Sequence, residues 1–459
     1  MGRKAKNTKK ISNSPKGNQT NLTGQAIVAD SSGADSSGAE SSRADSKQAK
    51  SSGRSRRRFS NRTLIVLIVL LIPLGYLSFR SVGVYQLRSM AFEASELRNA
   101  GKWRTLEPLA VKWGQADRTT AIPWLYAAES AERLGSPDRM AQYLEQIPEA
   151  DPRAPDLLLE LATLYFGPLN RPEQGVSACK RAIQIAPEHR EARRRLIFYY
   201  GITMQREKVI ELTRETIRVG SDTQETYVYL MGANWLSFSN AYELNGKWLQ
   251  SGSNNEVYGI AEALHWRGAT KNDPSVAQLP EADRERIRKA EQAEMLKKYF
   301  MQFPKNTELL AFFLEESSVR GDIEEVEKLL SEVPAGAAKD NRFWHYKGWY
   351  HANLSEWQEA EKCYRKALEL HPYAWRSQFE LADTLRKSGD LREVERLSQL
   401  SLEGKDLQKT ILQLPDVQSV PMNIFKRMQR YASDCGDAPV AARMLERIQQ
   451  YGGGGEFKQ

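Results

Sequence analysis

Residues 341–374 read NRFWHYKGWYHANLSEWQEAEKCYRKALELHPYA, and this stretch decides the fold. Trp344, Gly348, Ala360, Tyr364, Ala367 and Pro372 stand at positions 4, 8, 20, 24, 27 and 32 of a 34-residue unit. Apolar residues at helical spacing on either side of a short polar break predict two helices. Small residues at positions 8, 20 and 27 let the two helices approach closely. Large side chains, Trp344 and Tyr364 among them, are expected to fill the space between. Pro372 ends the second helix and opens the next unit.

The same phase runs outward in both directions, and a fixed period of this length signals a stacked-repeat architecture. Unit 307–340 offers Leu310, Leu314, Gly321 and Val326, and unit 375–408 offers Leu381, Ala382, Gly389 and Val394. Further units begin at 87, 121, 155, 190 and about 422, and the unit at 155 carries one extra residue in its turn.

The pattern resembles the tetratricopeptide repeat, W-x2-L-G-x2-Y…A-x3-F…A…P. Lys347 and His351 depart from it where Leu and Tyr are usual. The resemblance implies an all-α, tetratricopeptide-like solenoid of helix hairpins whose groove binds other proteins or peptides. It covers most of residues 87–455. The expected organisation is a basic low-complexity tail (1–62), a transmembrane helix (63–84) and an N-terminal subarray (87–223). An irregular joint (224–306), a C-terminal subarray (307–408) and an insertion with a last helix pair (409–455) follow. The joint begins like a first helix (Tyr227, Leu230, Met231), runs into a Ser/Asn/Gly-rich stretch at 237–255 that reads as a loop, and continues with helices at about 256–268 and 282–303, closed by Pro304.

In such repeats, first-helix positions 2, 5, 9, 12 and 13 tend to face the groove. The resemblance therefore points to Arg342, His345, Trp349 and Asn353 in one unit, and to Arg376, Phe379, Asp383 and Arg386 in the next. Some relatives hold chaperone C-termini with Lys at position 5 and Asn at position 9. Leu125, Ala311, Glu129 and Glu315 occupy those places here, so no such clamp is expected.

Ahead of the repeats, residues 63–79 (TLIVLIVLLIPLGYLSF) carry no charge and lie between Arg62 and Arg80. They would span roughly 26 Å as a helix, close to the ~30 Å apolar thickness of a bilayer that flanking Arg side chains help to bridge. The length of chain ahead of the stretch, and the absence of a small-residue cleavage site after it, favour a retained anchor over a cleaved signal. Arg54, Arg56, Arg57, Arg58 and Arg62 crowd its N-terminal side, against Arg80 and Arg88 beyond it. That bias places the tail in the cytoplasm and the repeats on the extracytoplasmic side, as in a bacterial inner membrane facing the periplasm. The alternative is an import or chaperone receptor with its repeats in the cytosol.

The net charge of +8 belongs to the tail. Residues 1–62 hold 14 Lys or Arg against 4 acids, leaving 52 bases against 54 acids in the remainder. A nearly neutral folded part argues against nucleic acid as a partner. Cys179, Cys363 and Cys435 are too scattered for a disulfide framework or a zinc site. None of the five histidines forms H-E-x-x-H, and no G-x-x-x-x-G-K-[ST] occurs. No metal, cofactor or catalytic role is expected. Some tetratricopeptide arrays precede a catalytic domain, as in protein O-glycosyltransferases, but here the repeats run to about residue 455.

Overall fold

The computed structural model describes residues 83–238, 240–252, 255–266, 276 and 278–452. They belong to one compact unit, Pro73–Gln459. The expected tail, Arg56, Arg57, Arg58, Arg62 and Arg80, and all but the last two residues of the expected span at 63–84, lie outside the described residues. Among the described residues no helix is long and apolar enough to cross a membrane.

The described residues form twenty helices and no strand. Their turns keep the register read from the sequence. A left-handed backbone recurs at Gly101, Gly135, Asn170, Met204, Gly321, Ser355, Gly389 and Gly436. Each marks the turn inside one hairpin, and the late arrival of Asn170 is the extra residue of its unit. The step from Gly389 to Gly436 is 47 residues, one repeat plus the thirteen residues 409–421. Met204 and Ser355 take this conformation without being glycine, a disfavoured choice that the flanking helices enforce.

Close helix approach rests on small residues, as the spacing implied. A Cβ on Gly348 would stand 2.7 Å from the ring of Tyr364, which is fully buried. A Cβ on Gly114 would stand 2.6 Å from Trp124. Trp344, however, does not fill the interhelical space. It is partly buried outside the apolar clusters, its Nε1–H donates to the Ala338 carbonyl at 2.8 Å, and the Lys347 ammonium lies 5.5 Å from its ring. Phe343 and Tyr346, each 6% exposed, take the core position instead. Lys at position 7 cannot be buried, so the helix turns its 343–346–350 face to the preceding unit.

The joint has the helices expected near 227, 260 and 282–303, and one more, Ala241–Gln250, in the stretch read as a loop. Its helices are Gln224–Gly232, Ala241–Gln250, Ile260–Leu264 and Glu281–Gln302, with a π-helical turn at Asn255–Gly259. Ala241, Leu244 and Trp248 line one face at helical spacing. Buried Asn245 donates to the carbonyls of Ile202 and Ala241, both at 2.8 Å.

The C-terminal hairpin, Met422–Asp434 and Ala438–Gly452, packs far back along the sequence. Phe425, Met428 and Met444 share one apolar cluster with Leu196, Ile217, Tyr227 and Leu230. Asp222, with no exposed side-chain surface, accepts from Arg443 at 3.0 Å, from Arg447 at 2.9 Å and from the Tyr227 hydroxyl at 2.7 Å. Arg214 pairs with Asp437 at 2.9 Å. Helix Val394–Leu412 and the residues after it complete the bridge, with Leu407, Ile411 and Val420 buried in the same cluster.

Candidate functional site

Where the C-terminal subarray meets the joint, a cleft of about 320 Å³ opens. Its walls come from segments distant in sequence: Arg206, Asn234 and Trp235, Glu315, the start of helix Asn341–Asn353, the stretch from His371 to Ser377, and Gln408.

Asp340 caps the helix Asn341–Asn353 by accepting from the Arg342 amide at 3.0 Å. The Arg342 guanidinium folds back onto Asp340 and reaches across to Glu308, with contacts of 2.6 Å to each. Arg206 joins through Glu308 at 3.1 Å and also donates to the Ala233 carbonyl. Burial pushes the Asp340 carboxyl up, but the charge and hydrogen bonds of Arg342 outweigh it and hold the pKa below its usual value. Two arginines and two carboxylates thus neutralise one another in a nearly dry network. Arg376 pairs with Glu315 on the rim and lies over the Trp375 ring at 5.6 Å. The Trp375 indole donates to Gln408 at 2.6 Å. The cleft therefore carries polar groups without a large net charge.

Two imidazoles face it. His345 Nδ1 meets the Ser377 hydroxyl at 3.0 Å, and burial with the nearby Arg376 charge lowers its pKa to about 4. His371 is 1% exposed, its ring beside the Met231 backbone. Burial, reinforced by Arg214, lowers its pKa to about 4 as well. Both rings are neutral at pH 7, and each can donate or accept a hydrogen bond.

Of the eight groove residues read from the sequence, Arg342, His345 and Arg376 line this cleft. Arg342 is committed to the ion network rather than free for a ligand. Arg376, Phe379, Asp383 and Arg386 lie along one face of helix Trp375–Ser388. Phe379 is 54% exposed there, and Asp383 is paired with Arg386 at 3.1 Å and Lys387 at 2.7 Å. Trp349 packs partly buried against the cluster of Leu310, Leu314 and Phe343. Asn353 is exposed and donates to the Trp349 carbonyl at 2.8 Å. Sequence reasoning missed Arg206, Trp235, His371 and Gln408, because groove positions of single units do not reveal which distant units converge.

Among the described residues no cluster of three or more His, Cys, Asp or Glu side chains could hold a metal ion. Burial pushes the Cys179 and Cys435 thiols up to about 12, which leaves them unreactive at neutral pH.

The tetratricopeptide-repeat family model matches residues 342–374, the unit from which the register was read. No curated protein matches the chain. Among solved structures, a human IFIT1 dimer with m7Gppp-AAAA is 13% identical, covering 78% of this chain and 75% of that one at a TM-score of 0.27. A human IFIT1 dimer with PPP-AAAA is 14% identical over the same shares at a TM-score of 0.26. Likeness at that level bears on neither partner nor activity.

Proposed function

We propose that this chain is a protein-interaction scaffold or assembly factor that receives an extended segment of another protein along the cleft and the exposed face of helix Trp375–Ser388. The observation that carries the reading is the convergence of Arg206, Trp235, His345, His371 and Trp375 on one polar, aromatic cleft from four separate parts of the chain. Tetratricopeptide-like hairpins build concave surfaces of this kind, and aromatic and arginine side chains are the usual anchors of a protein interface. The scaffold is tethered by residues 63–84, with the tail cytoplasmic and the repeats extracytoplasmic. The uncharged run at 63–79 and the arginines ahead of it support that arrangement.

Site-specific photo-crosslinking in the native membrane tests the interface. A crosslinker in place of Phe379 should yield partner adducts, whereas one in place of the exposed but remote Leu445 should not. Equal adducts from both positions would remove the cleft from the proposal. Protease added to intact cells and to spheroplasts tests the sidedness. Cleavage of the repeats only after the outer barrier is opened supports it, and protection in spheroplasts favours the cytosol-facing receptor instead.

A further inference from the structure

Every full charge on the cleft of Arg206 and His345 is answered within the chain. Arg206 and Arg342 are held by Glu308 and Asp340, and Arg376 by Glu315. Both imidazoles are neutral at pH 7. What remains open is a set of uncharged carboxamides. The side chains of Asn234 and Asn341 line the cleft and make no hydrogen bond among the described residues. Asn341 is 3% exposed at the first position of its helix, so its amide has lost most of its water without gaining a partner. Gln408 accepts from the Trp375 indole at 2.6 Å through its Oε1, and its NH2 group has no partner among the described residues.

A buried amide without partners is a costly feature. Its natural complement is a second amide, because each offers an acceptor oxygen and two N–H donors. A carboxylate of the same shape can only accept, and an alkyl chain can do neither. We infer that the cleft is a binding site for a side-chain carboxamide, that of a glutamine or asparagine in the partner's extended segment, with Asn234, Asn341 and the NH2 group of Gln408 as its hydrogen-bonding groups. The inference rests on the reading of the cleft as a protein-binding surface and adds what that protein must present.

Size and charge favour this occupant over others. A cleft of about 320 Å³ whose asparagine is 3% exposed admits an entering side chain more readily than a backbone lying across it. Trp235 lines the same cleft and offers apolar surface to the methylene stem. An acidic or basic side chain would lose its water there without meeting an unpaired counter-charge. A site built to hydrogen-bond a polar group rejects an analogue that lacks the group, because its own buried groups are then left unpaired.

The test is fluorescence anisotropy on the full chain in detergent. The probe is a labelled, end-blocked Ser-Gly-Leu-Gln-Leu-Gly-Ser peptide, beside counterparts with glutamate or norleucine in place of glutamine. The glutamine peptide should bind about tenfold more tightly than either, the scale of one buried polar group left unpaired. Asn341→Leu should remove that preference, and Asn234→Leu serves the same purpose where Asn341→Leu fails to fold. Equal binding of the three peptides to the unaltered chain would overturn the inference, as would tighter binding of the glutamate peptide or no binding of the glutamine peptide. A glutamine preference that survives both leucine substitutions would overturn it too. Partner adducts from a crosslinker at Phe379 keep the two readings apart. Adducts that form while the peptides bind equally overturn the carboxamide site and leave the protein-binding cleft standing, whereas loss of the 379-specific adducts removes both.

Discussion

After a small first cluster around Ala94, Leu106 and Trp113, one large apolar cluster runs from Ala121 through the joint to Tyr258 and takes in Phe425, Met428 and Met444 from the last hairpin. The C-terminal subarray instead divides into a cluster around Leu310, Phe343 and Tyr346 and another around Tyr364, Leu381 and Leu397. The polar cleft lies at the seam between them, with Tyr346 from the first cluster on its wall and His345 5.7 Å from Tyr364 of the second. Where apolar continuity stops, buried ion pairs take over, and the surface they leave is concave, polar and open to a ligand. Packing and binding thus divide the solenoid between them.

The largest expected effect falls on the tie that closes the N-terminal half. Asp222→Asn leaves two arginines facing an uncharged amide at a buried position. Removing one partner from a buried pair costs about 3–5 kcal/mol. Thermal unfolding of the full chain should report it as a large drop in Tm. Glu308→Gln, in the network by the cleft, should cost less, because the Arg342 guanidinium keeps its contacts with Asp340. Equal losses would break the contrast between the halves. Burial pushes the Asp222 carboxyl up, but bonds from Arg447, Tyr227 and Arg443 prevail and lower its pKa. Its stabilisation is therefore complete above the unfolded value of about 4 and is lost as pH falls through the lower folded value.

A smaller effect separates local from global opening. Gly348→Ala places a methyl against the immobile Tyr364 ring, an overpacking of about 1–3 kcal/mol. Because the C-terminal clusters are small, hydrogen exchange should show faster opening confined to about residues 341–388. Gly114→Ala meets Trp124, which belongs to the continuous cluster, so its opening should spread through the N-terminal units. Matching exchange patterns in the two variants would dismiss the idea of differently coupled halves.

Acid should act on the C-terminal side first. His345 and His371 have folded pKa values lowered to about 4, against about 6.5 unfolded. The unfolded state then binds protons that the folded state refuses, so stability falls as pH drops from 6.5 toward 4. The loss between pH 7 and 5 is about 1–2 kcal/mol per imidazole by linkage. His371→Gln should flatten the slope in that window, and an unchanged slope would show that the imidazole is not held neutral.

The register of all eight hairpins was legible at the sequence level, since left-handed turns and small contact residues follow from local sterics. The irregular stretches were legible only in part. Residues 241–250 were hidden by their polar composition, although Ala241, Leu244 and Trp248 carry the helical stripe. The return of the last hairpin onto Asp222 was not legible at all, because nothing local marks a contact between residues more than two hundred positions apart. The cleft inherits the same difficulty: Arg342, His345 and Arg376 could be placed from unit positions, but Trp235 and His371 reach it through tertiary convergence.

The smallest expected effect concerns two tryptophans five residues apart. Unit position alone puts Trp344 in the core and leaves Trp349 free for a partner. The structure leaves Trp344 outside the buried clusters, held by one hydrogen bond to Ala338 and the Lys347 ammonium over its ring. Its truncation should therefore cost about 1 kcal/mol, the scale of one such bond, rather than the ~3–5 kcal/mol of a buried Trp. Trp349 lies against Leu310, Leu314 and Phe343, so Trp349→Ala should cost at least as much. Melting curves of the two variants measured side by side decide the order. A much larger loss for Trp344→Ala would restore the position-based reading and rotate this helix back toward the family pattern. If the two losses are similar and Trp349→Ala also weakens the crosslink from position 379, Trp349 serves packing and recognition together.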